Sequence, residues 1–328
     1  MSSSISSITD LTVKAAMEAI ASESTTTEDK IQMLIELAFR FQKQPKTPKD
    51  LRNAVSLYYH AYDLCKDDYP LLRARTMVGM ASALQAIPTA GTDLLLQAKA
   101  GYEEALPIIE SLATLQEVAE VQMNLGLVLQ SLAGYNLARI TDSIAAYQKA
   151  LEVFTWEKFP QEYAILHNNI AIAHLSMPLS SEKEHLRHGL AVRSFETALE
   201  HIKLTEHPRE YAMLKNNLGN ALQYLPSSHP VDNNLRAISA YDEALKVRNP
   251  RDNPLEYANT IANKALALSN IPDDLENVEE GNSNNLLEAS NYYQEALEIF
   301  KQYEQVEQIE IVVKAIREIQ EELTSSKF

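Results

Sequence analysis

One phrase recurs along the chain: REYAMLKNNLGNALQYLP, residues 209–226, returns as QEYAILHNNIAIAHLSMP from Gln161, LEYANTIANKALALSNIP from Leu255 and LLRARTMVGMASALQAIP from Leu71. A looser copy, QEVAEVQMNLGLVLQSLA, starts at Gln116. A second phrase alternates with it: AVSLYYHAY from Ala54, AKAGYEEAL from Ala98, SIAAYQKAL from Ser143, AVRSFETAL from Ala191, AISAYDEAL from Ala237 and ASNYYQEAL from Ala289. In the second, a small residue is followed by an aromatic four later and an alanine three after that. Those offsets put all three on one face of a helix. The first phrase is therefore a helix A and the second a helix B.

The two series keep step. The small residue at the middle of helix A falls at Ala81, Gly126, Ala171, Gly219 and Ala265, and the aromatic of helix B at Tyr58, Tyr102, Tyr147, Phe195, Tyr241 and Tyr293. Whole A–B pairs in tandem produce this drift, and a tandem of pairs is an all-α solenoid. Pro70, Pro160, Pro208 and Pro254 precede four A helices, where a missing N–H costs nothing. Glu162, Glu210 and Glu256 follow three of them, meeting the positive end of the helix dipole. Pro88, Pro178, Pro226 and Pro272 close the same four. The turn from A to B varies, from a few residues after Leu132 to the acidic stretch of residues 272–285.

Before the repeats, residues 1–27 read as a tail carrying a short helix from Ile8 to about Ala21. Thr25 and Glu28 have capping-box spacing and open a helix whose Ile31, Leu34, Ile35, Ala38 and Phe39 share a face, ended by Pro45 and Pro48. The array then occupies residues 28–302. Pro107 is expected to kink or end its B helix. Residues 303–328 form a capping helix and tail, with Val306, Ile309, Val313 and Ile316 inward.

Composition narrows the function. The 328 residues carry a net charge of −16 and only 8 glycines. An acidic surface repels phosphates and anionic lipids, so neither nucleic acid nor membrane is an expected partner. A neutral to basic protein segment is. One cysteine, Cys65, excludes an internal disulfide and fits the reducing cytoplasm as a small buried residue at a helix end. MSSSISSITD has neither the basic nor the apolar region of a secretory signal, Ser2 stands where myristoylation needs glycine, and no apolar run is long enough to cross a bilayer.

Chemistry-bearing patterns are sparse. No phosphate-cradling glycine loop and no nucleophile elbow occur. Glu182, His185 and His188 have metal-like spacing, but a di-iron bundle needs the motif twice, and a solvated charged surface is expected. His167 and His174, seven apart, read as packing or groove residues. The acidic run Asp273–Glu280 lacks calcium-loop spacing and reads as solvated. No enzyme, cofactor or metal is expected.

NNLGNALQYL (Asn216–Leu225) and AISAYDEAL (Ala237–Leu245) resemble the tetratricopeptide repeat, through Leu218, Gly219, Ala221 and Leu222 in helix A and Ala237, Tyr241 and Ala244 in helix B. The family unit is about 34 residues, whereas here the aromatics are 44 to 52 apart and most A helices lack the early tryptophan. Long units with paired asparagines are similar to those of kinesin light chains and bacterial signalling arrays. The resemblance implies a right-handed superhelical solenoid of about six helix pairs, its concave groove lined by A helices and holding a peptide or helix of a partner. Carried over by position, the groove set is Arg75, Met123, Gln130, Asn168, Ile172, Met213, Asn216, Asn220, Gln223, Tyr224, Asn259 and Asn270. Asn169 and Asn217 fall where the family bonds neighbouring helices. The implied function is a protein-interaction adaptor. A self-associating scaffold, or a regulatory subunit of a separate effector enzyme, is the alternative.

Overall fold

The computed structural model describes residues 11–22, 24–88, 91–178, 184–226, 229–276 and 281–325. The elements among them are helices: α1 (Leu11–Ser22), α2 (Thr27–Lys43), α3 (Pro48–Cys65), α4 (Pro70–Ala86), α5 (Asp93–Leu112), α6 (Leu115–Ala133), α7 (Ile140–Leu151), α8 (Pro160–Leu175), α9 (Glu184–Leu199), α10 (Pro208–Gln223), α11 (Pro230–Leu245), α12 (Pro254–Ser269), α13 (Ser283–Gln302) and α14 (Val306–Ser325). Proline occupies the first turn of α4, α8, α10 and α12, as the repeats predict. It also opens α3 and α11, so Pro48 starts a helix instead of ending one.

Helices pair in chain order, α2 with α3 through α12 with α13. The chain divides into two compact units, residues 1–154 and 155–328, with three pairs in each. In the first, α2, α4 and α6 lie side by side as A helices; in the second, α8, α10 and α12 do. The first unit has one continuous core from Val13 to Leu132. The second has two clusters, one around Phe195 and Tyr241 and one around Tyr293 and Phe300, the latter closed by α14.

The aromatic of helix B locks each pair. Tyr147 of α7 and Tyr241 of α11 are fully buried and lie so close to Gly126 and Gly219 that a Cβ there would meet their rings at 2.5 Å. Their hydroxyls donate to the same A helices, Tyr147 to Gln130 Oε1 at 2.8 Å and Tyr241 to Asn220 Oδ1 at 2.7 Å. Tyr58 donates to Gln42 Oε1 at 3.1 Å and Tyr102 to Gln85 Oε1 at 3.4 Å. Gln42, Gln85 and Gln130 all stand four residues after the small residue of their helix (Ala38, Ala81, Gly126). In α8 that position is Leu175, and the facing aromatic is Phe195, which has no hydroxyl to satisfy.

Several local expectations are corrected. The capping box of α2 is Thr26 with Asp29, one residue later than Thr25 and Glu28: Thr26 Oγ1 accepts from Asp29 N at 3.1 Å and Asp29 Oδ2 accepts from Thr26 N at 3.1 Å. Phe39 is exposed, because Ile31, Leu34 and Ala38 are the residues that face the core. Pro107 sits inside α5 without ending it. The lost hydrogen bond is offset by burial of Ala105 and Ile109 on either side. In α14 the inward residues are Val312, Ile316 and Ile319, while Val306 and Val313 are exposed. Asp273 is not merely solvated: its carboxylate accepts from Asn284 N and Asn285 N, both at 2.8 Å, and caps α13. Residues 277–280 of the acidic run and Glu182 lie outside the described residues. Cys65 ends α3 and is buried, which pushes its thiol up to about 11.

Candidate partner-binding face

In the second unit the outward side of α8 carries Ile165 and Ile172, seven residues apart and so on one face, with Asn168 buried between them. Ile165 and Ile172 are 39% and 36% exposed. Neighbouring α10 adds Met213 and Asn220, both half-buried, and Tyr224 at its C-terminal end, 62% exposed. On α12, Asn259 and Asn270 are exposed, but each amide nitrogen donates back to its own helix, to Leu255 O at 2.9 Å and Leu266 O at 2.7 Å.

The paired asparagines behave as a unit. Asn168 and Asn216 are 8% and 6% exposed. Asn216 Nδ2 donates to Asn217 Oδ1 at 2.9 Å, Asn217 Nδ2 to Asn168 Oδ1 at 2.7 Å, and Asn168 Nδ2 to Asn169 Oδ1 at 3.4 Å. The middle bond joins α10 to α8. A carboxamide both donates and accepts, so it can relay such a ladder. Asn168 and Asn216 thus lie inside the stack beside Asn169 and Asn217, and removing them tests stability before binding. Asn216 Oδ1 is buried without a hydrogen-bond partner among the described residues. Gln223 is also engaged: its Nε2 donates to Asn263 O of α12 at 2.8 Å.

In the first unit, Arg75 of α4 is exposed yet neutralised. Its guanidinium grips Glu117 of α6 at both oxygens, at 2.8 and 3.1 Å, and this pairing is the main reason the Glu117 carboxyl lies below the usual carboxylate range. Met123 is half-buried, and the Gln130 oxygen is taken by Tyr147.

The histidines part company. His185 is exposed and His188 buried, although the two are only about 60° apart around α9, and no group of three metal-ligating side chains forms among the described residues. The expectation of a solvated His188 is therefore corrected: it packs against the end of α10, and burial lowers its affinity for a proton. A signal for this was present in the repeats. Seven residues before each B-helix aromatic stand Leu51, Leu95, Ile140, His188, Asn234 and Leu286, and His188 breaks a largely aliphatic column. His167 packs at a tilt against Tyr163, with ring centroids 4.5 Å apart and the rings 59° from parallel. Its burial drops its pKa to about 4.

No family model and no curated protein matches the sequence. Among solved structures, the chain is similar to BtubC (BKLC) from P. vanneervenii, at 16% identity over 86% of this chain and 93% of that one, with a TM-score of 0.52. The fold is of the tetratricopeptide type. At lower TM-scores stand the Rap protein complexed with Competence and Sporulation Factor (0.43; 12% identity; 96% of this chain, 97% of that) and the TPR2AB domain of yeast Sti1 complexed with pHSP90 (0.31; 14%; 89% and 99%). Identities this low speak for the tetratricopeptide-type fold alone. No helix among the described residues is long and apolar enough to cross a membrane.

Proposed function

We propose that the A-helix face of the second unit binds an extended, uncharged to weakly basic segment of a partner protein, making the chain a non-catalytic adaptor. The observation that carries this reading is the exposure of Ile165, Ile172 and Tyr224 on two adjacent helices, beside Met213 and Asn220. Apolar side chains held outward between fixed amides suit a ligand that buries side chains while its backbone meets carboxamides. The ligand's charge follows from that of the chain, −16 overall, which favours a neutral to basic partner.

The test is selection of random displayed peptides on the immobilised full chain. Enriched peptides should lose at least about tenfold in affinity with Ile172→Glu, since a buried charge facing an apolar contact costs more than 1.4 kcal/mol. Retained affinity in that variant overturns the reading. A second reading, self-association, is favoured by Val306, Ile311 and Val313, exposed on the closing helix α14. Light scattering that finds a monomer at every accessible concentration removes it.

A further inference from the structure

Two turns of the second unit, the one leading into α8 and the one between α9 and α10, meet through a pair of rings. Trp156 and His201 stack with centroids 4.3 Å apart and planes 7° from parallel. Tyr163, in the first turn of α8, stands edge-on to His201 at 6.1 Å. Trp156 is 42% exposed. His201 covers one face of the indole, so the exposed area lies on the other face and the rim. We propose that this open face receives the guanidinium of an arginine in a partner protein, with the carboxylates of Glu157 and Glu200 beside it.

The repeats set this corner apart from its counterparts. Six residues after each B-helix aromatic stand Leu64, Ile108, Val153, His201, Val247 and Ile299, so packing at that position is met by an aliphatic residue and does not require an imidazole. Four residues before the proline that opens α4, α8, α10 and α12 stand Lys66, Trp156, Leu204 and Pro250, so the indole too belongs to this pair alone. Tyr163 departs as well. Its counterparts Tyr211 and Tyr257 donate to Glu243 Oε2 and Glu295 Oε1, both at 2.9 Å and both two residues after the B-helix aromatic. In α9 that position is Thr197, and the Tyr163 hydroxyl makes no hydrogen bond among the described residues. Three departures gather at one corner, and the array folds without them elsewhere.

Charge selects the occupant. Glu157 follows Trp156 and Glu200 precedes His201 in the chain; both are exposed, and neither carboxylate has an ion pair or hydrogen bond among the described residues. Lys203 turns its ammonium back on Leu199 O at 3.0 Å, and Lys158 pairs with neither carboxylate. Both carboxylates lie near enough to Tyr163 that, after burial, their charges help to push its hydroxyl up. An indole face attracts a cation. A guanidinium suits this corner better than an ammonium, because it lies flat on the ring while its N–H edge reaches the carboxylates. The Tyr163 hydroxyl is a further acceptor at the same corner. An acidic side chain would meet two like charges.

Trp156 is the one tryptophan of the chain, so its fluorescence reports on the corner directly. Nα-acetyl-arginine amide is titrated into the full chain, with the amides of Nα-acetyl-citrulline, which keeps the shape without the charge, and of Nα-acetyl-lysine as comparators. The arginine derivative should change the emission saturably and bind at least about fivefold tighter than either comparator. Glu157→Gln combined with Glu200→Gln keeps the indole and changes only exposed side chains; with helicity unchanged by circular dichroism, it should weaken the arginine derivative by about tenfold. No saturable change, equal binding of the citrulline or lysine derivative, or undiminished binding in the double variant overturns the site. The corner lies at the opposite end of α8 and α10 from Tyr224, so this outcome and the dependence of selected peptides on Ile172 are decided separately.

Discussion

Gly219 shows how tightly single atoms are specified. A methyl group there would sit 2.5 Å from Cε1 of Tyr241, a ring that is fully buried and held by its hydroxyl on Asn220. Alanine gains about 1 kcal/mol in helix propensity over glycine, but overpacking a rigid core costs about 1–3 kcal/mol. Gly219→Ala should therefore lose about 1–2 kcal/mol in chemical denaturation. Gly189 of α9 has nothing within 4 Å of the same atom, and Gly189→Ala should gain up to about 1 kcal/mol. Equal shifts in both would refute the packing argument. His167 makes a pH-dependent contribution. Its pKa falls from 6.5 to about 4 on folding, so the unfolded chain takes up the proton first. The contribution is complete above pH 6.5 and is lost as pH falls towards 4, on the order of 3 kcal/mol at most. His167→Phe should flatten the stability profile across that window; an unchanged slope contradicts the assignment.

At the scale of the helix pair, aromatic and A-helix partner change together. Tyr147→Phe strands the Gln130 oxygen that its hydroxyl reaches at 2.8 Å and should cost about 1 kcal/mol. Adding Gln130→Leu recreates the Phe195 and Leu175 combination found at α8 and α9 and should recover most of the loss, a coupling that a double-mutant cycle measures. Additive costs would rule it out. The pairing of helices was legible because two phrases recur in phase. Which of two overlapping caps opens α2 was not: Thr25 with Glu28 and Thr26 with Asp29 have the same spacing, and only the packing of Ile31, Leu34 and Ala38 decides. Asn168 and Asn169 stand about 100° apart on their helix, yet both are buried: the neighbouring helix α10 brings Asn217 to meet Asn168, which in turn donates to Asn169. Spacing along one helix does not contain that neighbour. His188 was legible in the repeat column, but its Glu-x-x-His surroundings drew attention to a metal instead.

For the molecule as a whole, the division into units with three helix pairs each carries its own expectation. Residues 155–328 hold two complete clusters and the closing helix, so this fragment should be helical by circular dichroism and unfold cooperatively. A fragment that begins after α8 leaves Phe195 and its cluster uncovered and should lose that cooperativity. Equal behaviour of the two would mean the repeats do not depend on their pairs. The central functional claim is that the A-helix face of this unit receives the partner. Its most direct test places a photo-reactive p-benzoylphenylalanine at Tyr224 or at Ile311 of the full chain and illuminates each with a selected peptide. The peptide should cross-link at position 224 and not at 311; cross-linking at 311 alone would contradict the claim and put the binding surface on α14.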